Sequence, residues 1–252
     1  MKILGVIPAR YNSTRFPGKP LIELFGKSMI QRVYQQARKS KKLDQILVAT
    51  DDQRIFDHVN AFGGQAIMTR SDHSSGTDRC QEVIPLLNDS FDYIINVQGD
   101  EPLIQPAQID ELAKILDGKI ELATQVIRIT AHDLLPNPDS VKVVLNENKE
   151  ALYFSRSPIP FMRNIPLSEW HLKHDYFRHA GMYAYRKDIL EKITRLPPSS
   201  LETAESLEQL RWLEHGFKIK CIITGHESLA VDTPKDVDVV LKRLKEIEHD
   251  QR

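Results

Sequence analysis

Cysteine, net charge and long apolar runs are all scarce in this chain, and each shortage removes a class of protein. Cys80 and Cys221 are its two cysteines among 252 residues, far apart and without CxxC spacing. A disulfide framework is excluded, and two reduced thiols are expected. Lysine plus arginine (34) almost balances aspartate plus glutamate (35), for a formal net charge of −1. No overall field of one sign draws such a protein onto nucleic acid or anionic lipid, and no basic stripe with interleaved aromatics marks a nucleic-acid surface. A polyanionic ligand must then be held by local clusters of cations. The apolar run near the start, Ile3 to Pro8, is six residues long. That is too short for the core of a secretion signal or for a membrane span, so a cytoplasmic protein without membrane insertion is expected. Internal repeats, low-complexity stretches and Pro-, Gly- or Ser-rich linkers are missing too. One domain over residues 1–252 is therefore expected, a length that a single α/β core can fill.

What is present is alternation. Ile3 to Ile7 reads as a strand, and Ile30, Val33, Tyr34 and Ala37 then recur at the spacing of one buried helix face. Ile46 to Ala49 is a second strand, with Thr50-Asp51-Asp52 as a helix start. Ile55, Val59 and Phe62 mark the next helix, stopped by Gly63-Gly64. Strands follow at Gln65–Met68, Tyr93–Val97 and Leu122–Ile129, with helices near 78–87 and 108–116. This pattern predicts an α/β fold with a mainly parallel central sheet and helices on both faces. The second half adds a smaller β-containing subregion. Val141–Leu145 and Ala151–Ser155 flank a hairpin turn, Met182–Tyr185 and Lys218–Ile223 read as strands, and Glu202–Gly216 reads as a helix. Val237, Val240, Leu241, Leu244 and Ile247 give the last helix its core face.

The densest chemistry is IPARYNSTRFPGKPL, Ile7 to Leu21, which leaves the first strand as a loop carrying Arg10, Ser13, Thr14, Arg15, Gly18 and Lys19. Three cations, two hydroxyls and free backbone N–H groups suit a triphosphate. The loop is neither GxGxxG nor GxxxxGK[ST], so a dinucleotide fold and a P-loop are both disfavoured. HSSGTDR, His73 to Arg79, offers small residues for close approach to a base or ribose, or a plain helix cap. NVQGDEP, Asn96 to Pro102, runs a strand into Asp100, which suits Mg²⁺ carrying phosphate oxygens; a helix N-cap ahead of Pro102 is the competing reading. In VDTPKD, Thr233 and Pro234 read as the cap and first residue of the last helix, which leaves Asp232 outside the cap. YFSRSPIP sets Arg156 between serines, where a guanidinium can match a carboxylate. HAGMYAYR adds His179 and Tyr183. Glu205, Glu208, Gln209 and Trp212 fall on one side of the expected helix, which by itself reads as a wet acidic face. His171, His174 and His179 lack a partner that would complete a zinc set.

Taken in order, these motifs resemble those of the 3-deoxy-manno-octulosonate cytidylyltransferases, the CMP-KDO synthetases of lipopolysaccharide synthesis. The resemblance runs from Ile7 to about Val240 and includes Ala49-Thr50-Asp51-Asp52. Phe16 departs from it, standing where the family often carries leucine. The resemblance implies a nucleotide-diphospho-sugar transferase-like fold and a homodimer. It also implies a magnesium-dependent reaction of CTP with KDO that gives CMP-KDO and pyrophosphate. On that footing about 1–130 is the nucleotide-binding half, about 131–225 the sugar-binding and dimerisation subregion, and 226–252 the metal-ligand segment and last helix. It assigns Arg10, Ser13, Arg15 and Lys19 to the CTP phosphates, and Ser75, Gly76 and Arg79 to the nucleotide pocket. Asp100 and Asp232 become magnesium ligands, and these two with Lys19 and Arg10 the catalytic set. Gln98, Arg156, His179, Tyr183, Glu205 and Gln209 fall on the sugar side. The same chemistry on 8-amino-KDO or a sialic-acid-like sugar is the alternative, and a non-catalytic nucleotide-binding regulator a remote one.

Overall fold

A computed structural model describes residues 1–12, 16–227 and 229–250, with side chains as far as 247. The roles expected of Ser13, Thr14 and Arg15 lie outside the described residues. The chain opens with β1 (Ile3–Ala9), whose unbroken apolar run is almost wholly buried, as a central parallel strand requires. A short ribbon, β2 (Glu23–Leu24) with β3 (Lys27–Ser28), precedes α1 (Met29–Ala37). Ser28 caps α1 by accepting from Gln31 N–H, and Met29, Ile30, Val33, Tyr34 and Ala37 form its buried face. Next come β4 (Gln45–Thr50), α2 (Gln53–Ala61) capped by Asp52, and β5 (Ala66–Met68). Gly63, at φ 79°, ends α2 in the left-handed region that glycine tolerates best. Then follow α3 (Gly76–Val83) capped by Ser75, β6 (Tyr93–Asn96) and α4 (Pro106–Lys114).

Further on lie β7 (Leu122–Arg128), β8 (Lys142–Leu145), β9 (Ala151–Ser155), α5 (Trp170–Lys173) and β10 (Phe177–Arg186). The chain closes with α6 (Lys187–Ile193), α7 (Ser200–Glu205), α8 (Gln209–Glu214), β11 (Ile219–Ile223) and α9 (Pro234–Asp250). Two compact units result: Met1–Lys114 with Glu227–Arg252, and Ile115–His226.

In the first unit the strands run β6-β1-β4-β5, all parallel. The steps from β1 to β4 to β5 go one way, through α1 and α2. The return to β6 passes back beyond β1 through α3. Right-handed crossovers then place α3 on the face opposite α1 and α2. The reversal leaves the carboxyl ends of β1 and β6 side by side while their connections diverge. That switch point is where open α/β sheets bind ligands. Helix α9 returns to this unit, where Val231, Val240 and Leu244 pack with Leu24 and Met29.

The second unit has the strand order β11-β7-β10-β8-β9. β11 and β7 are parallel, and the remaining neighbours antiparallel. The strand expected at Met182–Tyr185 reaches back to Phe177 across an irregularity between His179 and Tyr183, at Gly181 with φ 68°. The single helix expected over Glu202–Gly216 is a correction: it breaks into α7 and α8. Ser206 turns left-handed at φ 52°, and the Arg156 guanidinium takes the carbonyls of Glu205 and Ser206 (2.8 and 3.4 Å) that a continuing helix would have used. Glu205 therefore does not share a continuous face with Gln209 and Trp212. Nor does Pro102 open a helix, since α4 starts only at Pro106. Both cysteines are buried and free.

Candidate active site

The switch point of the first unit carries the cluster. Gly18, at φ 74°, donates its N–H to Tyr11 O at 2.9 Å and closes the loop after β1. Lys19 follows in a single 3-10 turn with Pro20. After β6 the chain passes under Pro8 so closely that a Cβ on Gly99 would lie 2.8 Å from the Pro8 carbonyl oxygen. Any side chain there would push the next residue, Asp100, away from the loop. The 230–236 segment is tied to the same place, because Val231 N–H donates to Asp100 O at 2.9 Å. The Asp236 carboxylate accepts from the N–H groups of Asp232 and Thr233 at 3.0 and 2.7 Å. Those bonds lower its pKa against the opposing effect of burial. Asp236 thus fixes the turn that presents Asp232.

Lys19 Nζ lies 2.8 Å from Asp100 Oδ2 and 3.7 Å from Asp232 Oδ1. Two carboxylates 132 residues apart share one small polar space, with the lysine side chain 14% exposed. The aspartates supply hard oxygen donors of the kind Mg²⁺ prefers. Among the described residues no group of three or more His, Cys, Asp or Glu could hold a metal. Two carboxylates nevertheless fit Mg²⁺, which keeps water and substrate phosphate in its remaining positions. Arg10 is exposed at the carboxyl end of β1, and Gln98 is half-buried just after β6.

In HSSGTDR the structure shows the helix-cap reading. The Ser75 hydroxyl caps α3 by accepting from Asp78 N–H at 3.1 Å. Gly76 lies against Pro8 and Asn96, with room for ordinary contact. Arg79 is buried, and its guanidinium donates to Thr69 Oγ1 at 2.5 Å and faces Asp51 at 3.5 Å. It braces the ends of β4 and β5 from inside. Two features here escaped the sequence reading: Asp51 as the partner of Arg79, and Arg54 stacked 3.4 Å over the Tyr11 ring while paired with Asp52. Asp51 and Asp52 at a strand end were a usable signal, whereas the stacking pair had none.

In the second unit, Arg156 and Glu205 come together. The Glu205 carboxylate accepts from Ser155 Oγ (2.6 Å) and Arg156 N–H (2.9 Å), while the guanidinium donates to the carbonyls of Glu205, Pro138 and Ser206. The irregularity in β10 sets the His179 and Tyr183 rings 5.0 Å apart. His179 Nε2 lies 2.9 Å from Thr124 Oγ1, and burial lowers its pKa to about 4, so the ring is neutral at physiological pH. Burial likewise pushes the Tyr183 phenol well above its ordinary value. Its hydroxyl is buried and has no hydrogen-bond partner among the described residues. Trp212 packs edge-on against Tyr183 at 5.1 Å. Buried Gln209, three residues before Trp212, shares that side of α8.

Fold and site together are those of a nucleotidyltransferase, and the family described as Cytidylyltransferase matches residues 4–219. A 3-deoxy-manno-octulosonate cytidylyltransferase of Cytophaga hutchinsonii is 54% identical, over 94% of this chain and 95% of its own. One from Bacteroides thetaiotaomicron is also 54% identical, over 97% and 99%. The solved structure of a CMP:2-keto-3-deoxy-manno-octonic acid synthetase complexed with CTP superposes with a TM-score of 0.90 at 44% identity, covering 98% of this chain and 99% of its own. The chain belongs to the cytidylyltransferase family, among the 3-deoxy-manno-octulosonate cytidylyltransferases.

Proposed function

We propose that the chain activates 3-deoxy-manno-octulosonate with CTP, using Mg²⁺, to give CMP-KDO and pyrophosphate for lipopolysaccharide synthesis in the cytoplasm. The observation that carries the catalytic part is the meeting of Lys19, Asp100 and Asp232 at the switch point. The sugar is taken from the names of relatives at 54% identity. Asp100 and Asp232 hold Mg²⁺ in this reading, and bound there it supplies Lewis acidity toward the phosphate oxygens and the attacking hydroxyl.

The protein's own groups bring together two anions that repel each other. Arg10 and Lys19, with Ser13 and Arg15 of the same loop, bind the triphosphate. The ammonium of Lys19 turns from the aspartates to phosphate oxygens as charge grows on the leaving pyrophosphate. Ser75, Gly76 and the wall braced by Arg79 receive the nucleoside. Gln98, Arg156, His179, Tyr183, Glu205 and Gln209 receive the sugar, with the Tyr183 hydroxyl left for a sugar oxygen. Neutral His179 accepts or donates a hydrogen bond and adds no charge. Exposed apolar side chains between residues 158 and 172 support a homodimer.

The test is pyrophosphate release with CTP and a panel of KDO, 8-amino-KDO and a sialic acid, each with Mg²⁺ or with excess EDTA. KDO should give the highest kcat/KM, and EDTA should abolish release. A faster reaction with another sugar, or full activity in EDTA, overturns the corresponding part.

A further inference from the structure

Arg54, in α2, is exposed, yet its guanidinium is held on two sides. It forks onto the Asp52 carboxylate, Nε to Oδ1 at 2.9 Å and Nη2 to Oδ2 at 2.6 Å, and its Cζ lies 3.4 Å from the centroid of the Tyr11 ring. Helix α2 does not need that arrangement. Asp52 caps it by accepting Arg54 N–H at 3.0 Å, and a carboxylate does so whatever the guanidinium touches. Asp52 is tied in turn to β4, since its N–H donates to Thr50 Oγ1 at 3.2 Å. Thr50 pairs with Ala9 at the carboxyl end of β1, so Arg54 and Tyr11 follow adjacent strands. Tyr11 stands next to Arg10, and its carbonyl accepts the N–H of Gly18 at 2.9 Å. The ring also flanks Gly18, where a Cβ would lie 3.1 Å from the Tyr11 hydroxyl and 3.2 Å from Cζ. Glycine is the least restrained residue of a backbone, so left-handed Gly18 depends on its neighbours for its place, and Lys19 follows it directly. One chain of contacts therefore runs from β4 through Asp52, Arg54 and Tyr11 to Gly18, with Arg10 and Lys19 attached to its end.

We propose that Arg54 is a positioning residue for the nucleoside triphosphate: stacked on Tyr11, it holds the junction of Tyr11 with Gly18 from which Arg10 and Lys19 reach the phosphates. The inference rests on the cytidylyltransferase reading above and adds Arg54 and Tyr11 to its nucleotide side. Arg54 acts through the Tyr11 ring and does not touch the nucleotide. Asp52 takes the edge of the planar guanidinium, which leaves its flat face for the ring. A cation over an aromatic ring at an exposed site changes an equilibrium by about two- to fivefold, and that sets the size of the effect. No residue of the sugar side takes part in the chain of contacts, so the response to the sugar should not change.

The experiment is calorimetric titration of CTP into the full chain, beside steady-state kinetics with CTP and KDO varied separately. The variants are Arg54→Gln, Tyr11→Phe, Tyr11→Leu and the double variant of Tyr11→Leu with Arg54→Gln. Arg54→Gln should weaken CTP binding about two- to fivefold and leave the KM for KDO within about twofold of wild type. Tyr11→Phe keeps the ring and should bind CTP as the wild type does. Tyr11→Leu should lose at least as much as Arg54→Gln, and the double variant should match Tyr11→Leu, because a contact that acts through the ring is already gone. Unchanged CTP binding in Arg54→Gln overturns the proposal. So does a double variant whose loss is the product of the two single losses, which is what a guanidinium acting directly on phosphate would give. Arg54 is exposed, so Arg54→Gln decides the question even if Tyr11→Leu fails to fold. Wild-type CTP binding and turnover of KDO beside either overturning result remove the role of Arg54 alone, whereas a wild type that binds no CTP removes the underlying reading as well.

Discussion

Asp100 is held from three directions: Gly99 lets the backbone pass beneath Pro8, Val231 N–H grips its carbonyl, and Lys19 faces its carboxylate at 2.8 Å. In the proposed mechanism its charge is the part that acts on the reaction, so Asp100→Asn should retain the fold. It should lower kcat by about 100-fold or more while changing CTP affinity only a few-fold, because the lost interaction acts on transition-state charge. Single-turnover rates beside calorimetric CTP titration check this, and an undiminished kcat removes Asp100 from the mechanism. At this scale the sequence was informative wherever a polar residue followed an apolar run. Asp232 stands at such a boundary, Asp100 three residues beyond one, and Lys19 in the loop that leaves β1. Lys142 was not legible, because a lysine opening KVVL reads as a solvent-facing strand residue. Its burial depends on β9, β10 and the 137–140 turn, none of which is local to it.

Among elements, the break between α7 and α8 is the clearest departure from local pattern. Apolar spacing supported one helix, but a left-handed Ser206 and the Arg156 guanidinium stop it after Glu205. Side-chain bonds tie the two short helices together instead. The Ser199 capping box opens α7, and Glu202 also binds Arg211 of α8 through two contacts of 2.6 Å. Arg211 is the main cause of the lowered pKa of Glu202. A depressed carboxylate contributes stability that is complete above the ordinary value of 4.5 and is lost as pH falls toward its folded value. Glu202→Gln should therefore cost about 1–3 kcal/mol at neutral pH. The gap to wild type should narrow once the pH drops well below 4.5. Urea unfolding at several pH values measures it, and a gap independent of pH removes the ion pair as its source.

For the molecule as a whole, the apolar surface is uneven. Phe161 is 77% and Leu172 70% exposed, in the excursion around Trp170, and Phe161 stands edge-on to Trp170 at 5.1 Å. Apolar side chains grouped in this way are what a subunit contact covers. Sedimentation should report a particle near twice the 28.9 kDa chain mass, and Phe161→Asp should shift it toward the monomer. A monomeric wild type removes the homodimer. Among the described residues no helix is long and apolar enough to cross a membrane.

The sequence by itself determined the parallel strands of the first unit, the start of α2 at Asp52, and which loops carry charge. Those properties are written in periodicity and in residues adjacent to one another. Only the tertiary structure decided that Lys19, Asp100 and Asp232 meet, that Arg79 turns inward to Asp51, and that a lysine is buried beside Arg156 and Glu205. Each of these depends on strand order and crossover, which bring distant segments to one place, and no local pattern encodes that distance.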